Sequence, residues 1–258
     1  MACLMRPWGH MQFRDTGGAG DALVFANSLG TDSRMWDEVI DALPGRRCIT
    51  FDKRGHGLSA TPGAPWRVED LADDLRALMD ARGVGRAVIV GCSIGGIIAQ
   101  ALAVAHPGLV RGLVLSNTAA KVGTPEAWQA RIDAVRAGGL ASIAGAVLER
   151  WFAPGFLASD AVRPWRQMLL GCDAAGYAGT CAALAQADLR AHVGAIAAPV
   201  LMIAGSADQA TPPDLVAETA AAIPGARLVV LEGSGHIPAI DAPDAVARAI
   251  ADFLETIA

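Results

Sequence analysis

The residues best placed to do chemistry lie in Ala87-Val-Ile-Val-Gly91-Cys92-Ser93-Ile94-Gly95-Gly96. A β-rich apolar run leads into G-x-S-x-G, and the apolar segment Ile97-Ile-Ala-Gln-Ala-Leu-Ala-Val-Ala follows it. The motif alone says little, but between a strand and a helix it has a mechanical meaning. The sharp turn forces strained backbone angles on the serine and lifts its hydroxyl clear of the sheet. Gly91 and Gly95 leave room for the tight crossing, and the N-terminus of the following helix favours developing negative charge. Ser93 is therefore the candidate nucleophile.

A serine hydroxyl is weak at its own pKa and needs a neighbouring base. Of five histidines, His236 lies in Leu231-Glu-Gly-Ser-Gly-His236-Ile-Pro, between the last expected strand and the last expected helix. That position is a loop at the carboxyl end of a sheet, where open α/β folds bind ligands. His56, in Asp52-Lys-Arg-Gly-His56-Gly, is the main competitor and reads better as a bracing turn residue. His106 reads as the end of a helix, and His10 and His192 have no supporting context. The imidazole needs an acid to orient it and to stabilise its charged form. Asp208 follows the run Val200-Leu-Met-Ile-Ala, and the chain order Ser93, Asp208, His236 is the one a nucleophile-elbow hydrolase uses. Asp52, Asp188 and Asp214 sit in less informative places. The oxyanion of a tetrahedral intermediate needs donors. Those expected are the backbone N–H of Ile94 and that of Leu29, in the loop Phe25-Ala-Asn27-Ser28-Leu29-Gly30.

These side chains are far apart in the chain, so regular elements must bring them together. Short apolar runs at Leu23–Ala26, Cys48–Phe51, Ala87–Val90, Leu113–Leu115, Val200–Ala204 and Leu228–Leu231 read as strands covered on both faces. Helical spacing links Leu71, Leu75, Leu78 and Met79, and again Val246, Ile250, Phe253 and Leu254, with Asp241 as a cap ahead of Pro243. This alternation predicts an α/β protein with a mostly parallel, doubly wound sheet. It breaks between about residues 120 and 187, where short helical segments carry Trp128, Trp151, Trp165 and Tyr177. Large side chains need packing partners, so this stretch is expected to be an inserted helical cap (120–187) on a core formed by 1–119 and 188–258.

With 258 residues, one catalytic domain is expected. The net charge of −5 is dispersed, with no basic cluster to follow phosphates, so nucleic acid is not an expected partner. The five cysteines lack paired or CxxC spacing, which argues against a disulfide framework or a zinc site. No apolar stretch reaches the roughly 18 residues needed to span a bilayer. The opening residues lack a secretory pattern, so no membrane association and a cytoplasmic location are expected.

Taken together, the motifs resemble those of the α/β-hydrolase superfamily over nearly the whole chain. The segments Asn27-Ser-Leu-Gly-Thr-Asp-Ser-Arg-Met-Trp36, Asn117-Thr-Ala-Ala-Lys-Val-Gly-Thr124, Arg150-Trp-Phe152 and Gly176-Tyr-Ala-Gly-Thr-Cys181 resemble, more narrowly, those of 3-oxoadipate enol-lactonases. The resemblance implies the α/β-hydrolase fold and hydrolytic opening of a small enol-lactone in the β-ketoadipate pathway, with no metal or organic cofactor. Ile94 stands where methionine is common in such enzymes, which leaves its backbone role intact. A lactone or ester substrate with a carboxylate would need a cationic partner. Arg131, three positions after Trp128 and on the same face of a helix, is the expected pair partner with that tryptophan. Other readings of the scaffold are a carboxylesterase, a different lactonase, or a non-catalytic small-molecule receptor. A haloalkane dehalogenase would need aspartate at position 93.

Overall fold

The six apolar runs all form strands, with ends that shift by up to three residues. In the computed structural model, which describes residues 2–18 and 20–257, these are β3 (Ala22–Ala26), β4 (Cys48–Phe51), β5 (Ala87–Cys92), β6 (Val110–Ser116), β7 (Val200–Gly205) and β8 (Arg227–Leu231). Two further strands, β1 (Ala2–Arg6) and β2 (Gly9–Asp15), precede them. The described residues thus form an eight-stranded sheet in the order β1-β2-β4-β3-β5-β6-β7-β8. Strands β3 to β8 run parallel to one another, whereas β2 pairs antiparallel with both β1 and β4. No continuous apolar run marks this hairpin in the sequence, because β1 lies at the sheet edge and β2, although between β1 and β4, is buried over only part of its length. Only Met11, Gln12 and Phe13 of β2 are buried, and β1 is largely exposed. Strand β8 departs from the expected burial for the same reason: it is the other edge, half-exposed along its length.

The helices are α1 (Asp37–Asp41), α2 (Val68–Ala81), α3 (Ile94–Ala105), α4 (Pro125–Gly138), α5 (Ala144–Trp151), α6 (Pro154–Leu157), α7 (Arg163–Leu170), α8 (Ala174–Gln186), α9 (Pro213–Ala222), α10 (Pro238–Asp241) and α11 (Pro243–Thr256). The expected periodicity is realised in packing. Leu71, Leu75, Leu78 and Met79 of α2 are buried, as are Val246, Ile250 and Phe253 of α11. Helix α3 lies against β5 and β6. No single described helix is long and apolar enough to cross a membrane.

Between β6 and β7 the described chain holds helices and no strand. Helix α4 packs along α8, while Trp151 and Tyr177 are buried and Phe152 stacks on Phe156 with ring centroids 4.6 Å apart. Because β3, β5, β7 and β8 are parallel, the loops that follow them open at one rim of the sheet. Leu29, Ser93, Asp208 and His236 all lie on those loops or at their ends.

Asp241 does not cap α11. The cap position is Ala242, Pro243 occupies the first turn, and Asp241 ends the short helix α10. Its carboxylate faces back toward the histidine loop instead and accepts from the Gly235 N–H at 2.7 Å and from the Ser234 hydroxyl.

Candidate active site

Strand β5 ends at Cys92, and helix α3 starts at Ile94, leaving Ser93 as the single residue of the turn. Its backbone sits at φ 56°, ψ −120°, a left-handed region that costs a non-glycine residue free energy. The crossing is too tight for side chains on either flank. A Cβ on Gly95 would lie 2.1 Å from the Ala26 carbonyl oxygen, and one on Gly91 2.3 Å from that of Gly95. The turn is pinned by Ser93 N–H to Ser116 O at 3.0 Å and by Thr118 Oγ1 to Ser93 O at 2.7 Å.

His236 is buried, and its Nδ1 lies 2.8 Å from Asp208 Oδ2. Asp208 is held from several sides. Its Oδ1 accepts from the N–H groups of Ala210 (2.7 Å) and Thr211 (3.0 Å). Its Oδ2 also accepts from Thr211 Oγ1 at 2.6 Å and Asn117 Nδ2 at 2.8 Å. Burial pushes the Asp208 carboxyl up, but His236, Thr211 and Asn117 outweigh it and hold it below the usual carboxylate range. An ionised acceptor at Nδ1 fixes the tautomer in which Nε2 is bare and able to take a proton.

Ser93 and His236 line one cavity of about 100 Å³, together with Ser28, Leu29, Trp128, Arg131, Arg150 and Tyr177. No hydrogen bond joins the Ser93 hydroxyl to the imidazole among the described residues, a looseness common before substrate tightens a site. The Leu29 and Ile94 amides, the expected oxyanion donors, have no acceptor among the described residues. The loop that carries Leu29 is braced by Gly30 N–H to His56 Nε2 at 3.1 Å, so His56 sits in the bracing turn that its sequence context suggests. Desolvation holds His56 well below its ordinary pKa, as suits a neutral ring that accepts at Nε2. Asp52 ties the segment after β3 to the one after β4, accepting from Ser33 N–H at 2.8 Å and Leu58 N–H at 2.9 Å.

Trp128 and Arg131 do meet, with the guanidinium carbon 5.2 Å from the indole centroid. The indole N–H is already committed to the Val122 carbonyl at 2.7 Å, which leaves Trp128 only its ring face to offer. Arg150 is a further cation on the cavity wall, absent from the sequence-based site. Desolvation and then the like charge of Arg131 lower its pKa. Neither arginine forms an ion pair with a carboxylate among the described residues. Ser28 Oγ, also at the cavity, is buried without a hydrogen-bond partner.

Two further residues support the histidine and its acid: Asp241, through the loop contacts described above, and Asn117, which no local sequence signal marks. Asn117, at φ 49°, bridges Asp208 and the Gly235 carbonyl, the latter at 3.1 Å. A wider cleft of about 890 Å³, between the loop after β3 and α7, contains none of the three candidate catalytic residues. No cluster of three or more metal-ligating side chains occurs among the described residues.

Comparison with known proteins places this geometry in context. Residues 21–243 match the family model described as alpha/beta hydrolase fold. The chain is 40% identical over 232 residues to 3-oxoadipate enol-lactonase 2 of Acinetobacter baylyi, covering 89% of this chain and 86% of that protein. The crystal structure of the enol-lactonase from Burkholderia xenovorans LB400 superposes with a TM-score of 0.95 at 37% identity, covering 98% of this chain and all of that one. A thermophilic esterase from Thermogutta terrifontis, solved with malate bound, superposes at 0.93 with 28% identity over 99% of this chain and 98% of that one.

Proposed function

The chain belongs to the α/β-hydrolase fold family, and we propose that within it the protein is a serine hydrolase that opens 3-oxoadipate enol-lactone to 3-oxoadipate. The enol-lactonase relatives support hydrolysis of a small lactone or ester. The observation that carries the finer reading is the cavity itself. It holds Ser93 and His236 beside Arg131 and Arg150, two cations without a carboxylate of their own. A small cyclic ester with an anionic arm complements that arrangement. At about 100 Å³ the space is well below the ~300–1,000 Å³ typical of drug-sized ligands, which favours a small ring over a long acyl chain.

In this reading residues 1–119 and 188–258 are the catalytic core and 120–187 the cap that supplies the arginines. His236 Nε2 takes the Ser93 proton as Oγ attacks the lactone carbonyl, and the Leu29 and Ile94 amides receive the oxyanion. The ring C–O bond then breaks. The leaving oxygen is an enolate, a better leaving group than a simple alkoxide, and it takes the proton back from His236. The enol tautomerises to the ketone. His236 next removes a proton from water, whose oxygen attacks the acyl-enzyme. Collapse of the second tetrahedral intermediate frees the new carboxylic acid and returns the proton to Ser93. Amides already aimed at the oxyanion supply the largest single contribution. The chemistry calls for no metal or organic cofactor, and the β-ketoadipate pathway of aromatic catabolism is where such a reaction belongs.

The test compares purified protein on the enol-lactone and on p-nitrophenyl acetate. Loss of enol-lactone absorbance with the higher kcat/KM supports the lactonase. A far higher kcat/KM on the aryl ester would instead indicate a small-ester carboxylesterase, the reading favoured by the Thermogutta terrifontis likeness. Stoichiometric labelling by a serine-reactive phosphonate without turnover of either substrate would indicate a receptor.

A further inference from the structure

Lys53 follows β4 and is buried, 1% exposed, behind the loop that carries Leu29. Its ammonium donates to the Ser28 carbonyl at 2.5 Å. That carbonyl and the Leu29 N–H are the two ends of a single planar peptide unit. Resonance couples them, so positive charge at the oxygen draws electron density from the nitrogen and makes the N–H a stronger donor. We propose that Lys53 is a positioning residue for hydrolysis: acting through the Ser28–Leu29 peptide, it strengthens the Leu29 amide toward the oxyanion. This rests on the reading above that Leu29 N–H meets that oxyanion.

Structural need does not account for the lysine. The Ser28 carbonyl already accepts from Thr31 Oγ1 at 3.0 Å and Thr31 N–H at 3.4 Å, so it stays satisfied without Lys53. Nor does Lys53 form an ion pair with any described carboxylate. The groups facing it are Cys172 beyond α7, Asp52 beside it, Asp32 in the loop after β3, Cys92 at the end of β5 and His56. Asp32 is engaged with Arg34, and Asp52 with the Ser33 and Leu58 amides. A buried cation with no counter-ion costs stability that an apolar side chain of similar length would not. The direction in which it points is toward the oxyanion loop.

Burial lowers the Lys53 pKa from 10.5 to about 7, so the ammonium is full below neutrality and empties above it. The sign for stability follows. The folded pKa lies below the unfolded one, so the destabilisation is complete below pH 7 and fades as pH rises toward 10.5.

The test uses the full chain and p-nitrophenyl acetate, so that it does not depend on which lactone is the substrate. Lys53→Met, with Lys53→Gln as a second variant, should lower kcat about tenfold with little change in KM. That is less than the roughly 10²–10³ that follows outright loss of a donor. Phenylboronic acid, which forms a tetrahedral anion on Ser93 Oγ, should bind about tenfold more weakly. Wild-type kcat should fall toward the Met variant's as pH rises through about 7, and the variant should lack that limb. The melting temperature of Lys53→Met should equal or exceed that of wild type, most clearly below pH 7, whereas a merely structural lysine would lower it. Folded variants with wild-type kcat and boronate affinity overturn the proposal while leaving Ser93 in place. Undiminished turnover by Ser93→Ala would overturn the underlying reading and this proposal with it.

Discussion

The backbone N–H of His236 donates to the carbonyl of Trp151 at 2.7 Å. This bond joins the loop after β8 to the last turn of α5, which belongs to the helical stretch between β6 and β7. The proposed base is thus held by both parts of the chain: by α5 from one side, and by Asp208, Asn117 and Asp241 from the core. Residues that touch neither the serine nor the substrate should therefore affect turnover by changing where the imidazole sits.

Asp241 provides the first check. Its carboxylate accepts from Gly235 N–H and the Ser234 hydroxyl, immediately before the histidine. Asp241→Ala removes the acceptor for two partly buried donors and should cost about 1–3 kcal/mol of stability. Turnover should fall about tenfold as the loop loosens, while substrate KM changes little. Urea unfolding and steady-state kinetics on p-nitrophenyl acetate measure the two effects separately.

The second concerns the cationic wall. Arg131→Ala and Arg150→Ala should each raise KM for the carboxylate-bearing enol-lactone by about one to two orders of magnitude. That is the worth of about 1.5–3 kcal/mol for a hydrogen bond to a charged group. Turnover of neutral p-nitrophenyl acetate should remain near wild type. Equal losses on both substrates would show that the arginines support the fold of the helical stretch between β6 and β7 rather than recognise an anion.

Asp208 should act mainly through the imidazole. Asp208→Asn keeps the shape but favours the wrong tautomer at Nδ1, and kcat should fall about 10³–10⁴-fold by analogy with serine proteases. A variant that retains more than a tenth of wild-type kcat would mean that another acid orients His236.

A fourth test uses pH and stability together. Hydrogen bonds from Arg47, opposed by some burial and reinforced by Gly17 and Arg82, hold the Asp15 carboxyl far below its ordinary pKa of 3.8. The folded pKa is below the unfolded one, so this stabilisation is present above about pH 4 and is lost as pH falls further. Asp15→Asn should therefore lower the melting temperature at pH 7, and the difference from wild type should shrink as the pH drops below 4. A gap that is constant across this range would rule out an electrostatic origin.

Much of the sheet and the three candidate catalytic positions could be read in the sequence, because each lies just past a strongly apolar parallel strand. Ser93, Asp208 and His236 are placed by β5, β7 and β8, and their chain order does the rest. The rest depends on contacts between distant segments, which no local pattern encodes. Nothing local marks Asn117 as the bridge between Asp208 and Gly235, or Lys53 as the cation on the Ser28 carbonyl. Arg150 looks like any surface arginine until α5 turns it toward the cavity. An acid two residues before a proline-led helix is a common cap, whereas here the histidine loop takes the Asp241 carboxylate. The β1–β2 hairpin carries no strong apolar run, because β1 is a largely exposed edge and β2 is buried only from Met11 to Phe13.

The most direct test of Ser93 as the nucleophile is enol-lactone consumption by wild type beside Ser93→Ala, followed by loss of ultraviolet absorbance. Wild type should turn the substrate over, and the variant should fall at least about 10⁴-fold, to near the uncatalysed rate, while keeping the wild-type melting temperature within a few degrees. A folded Ser93→Ala protein that still opens the lactone at the wild-type rate would contradict it.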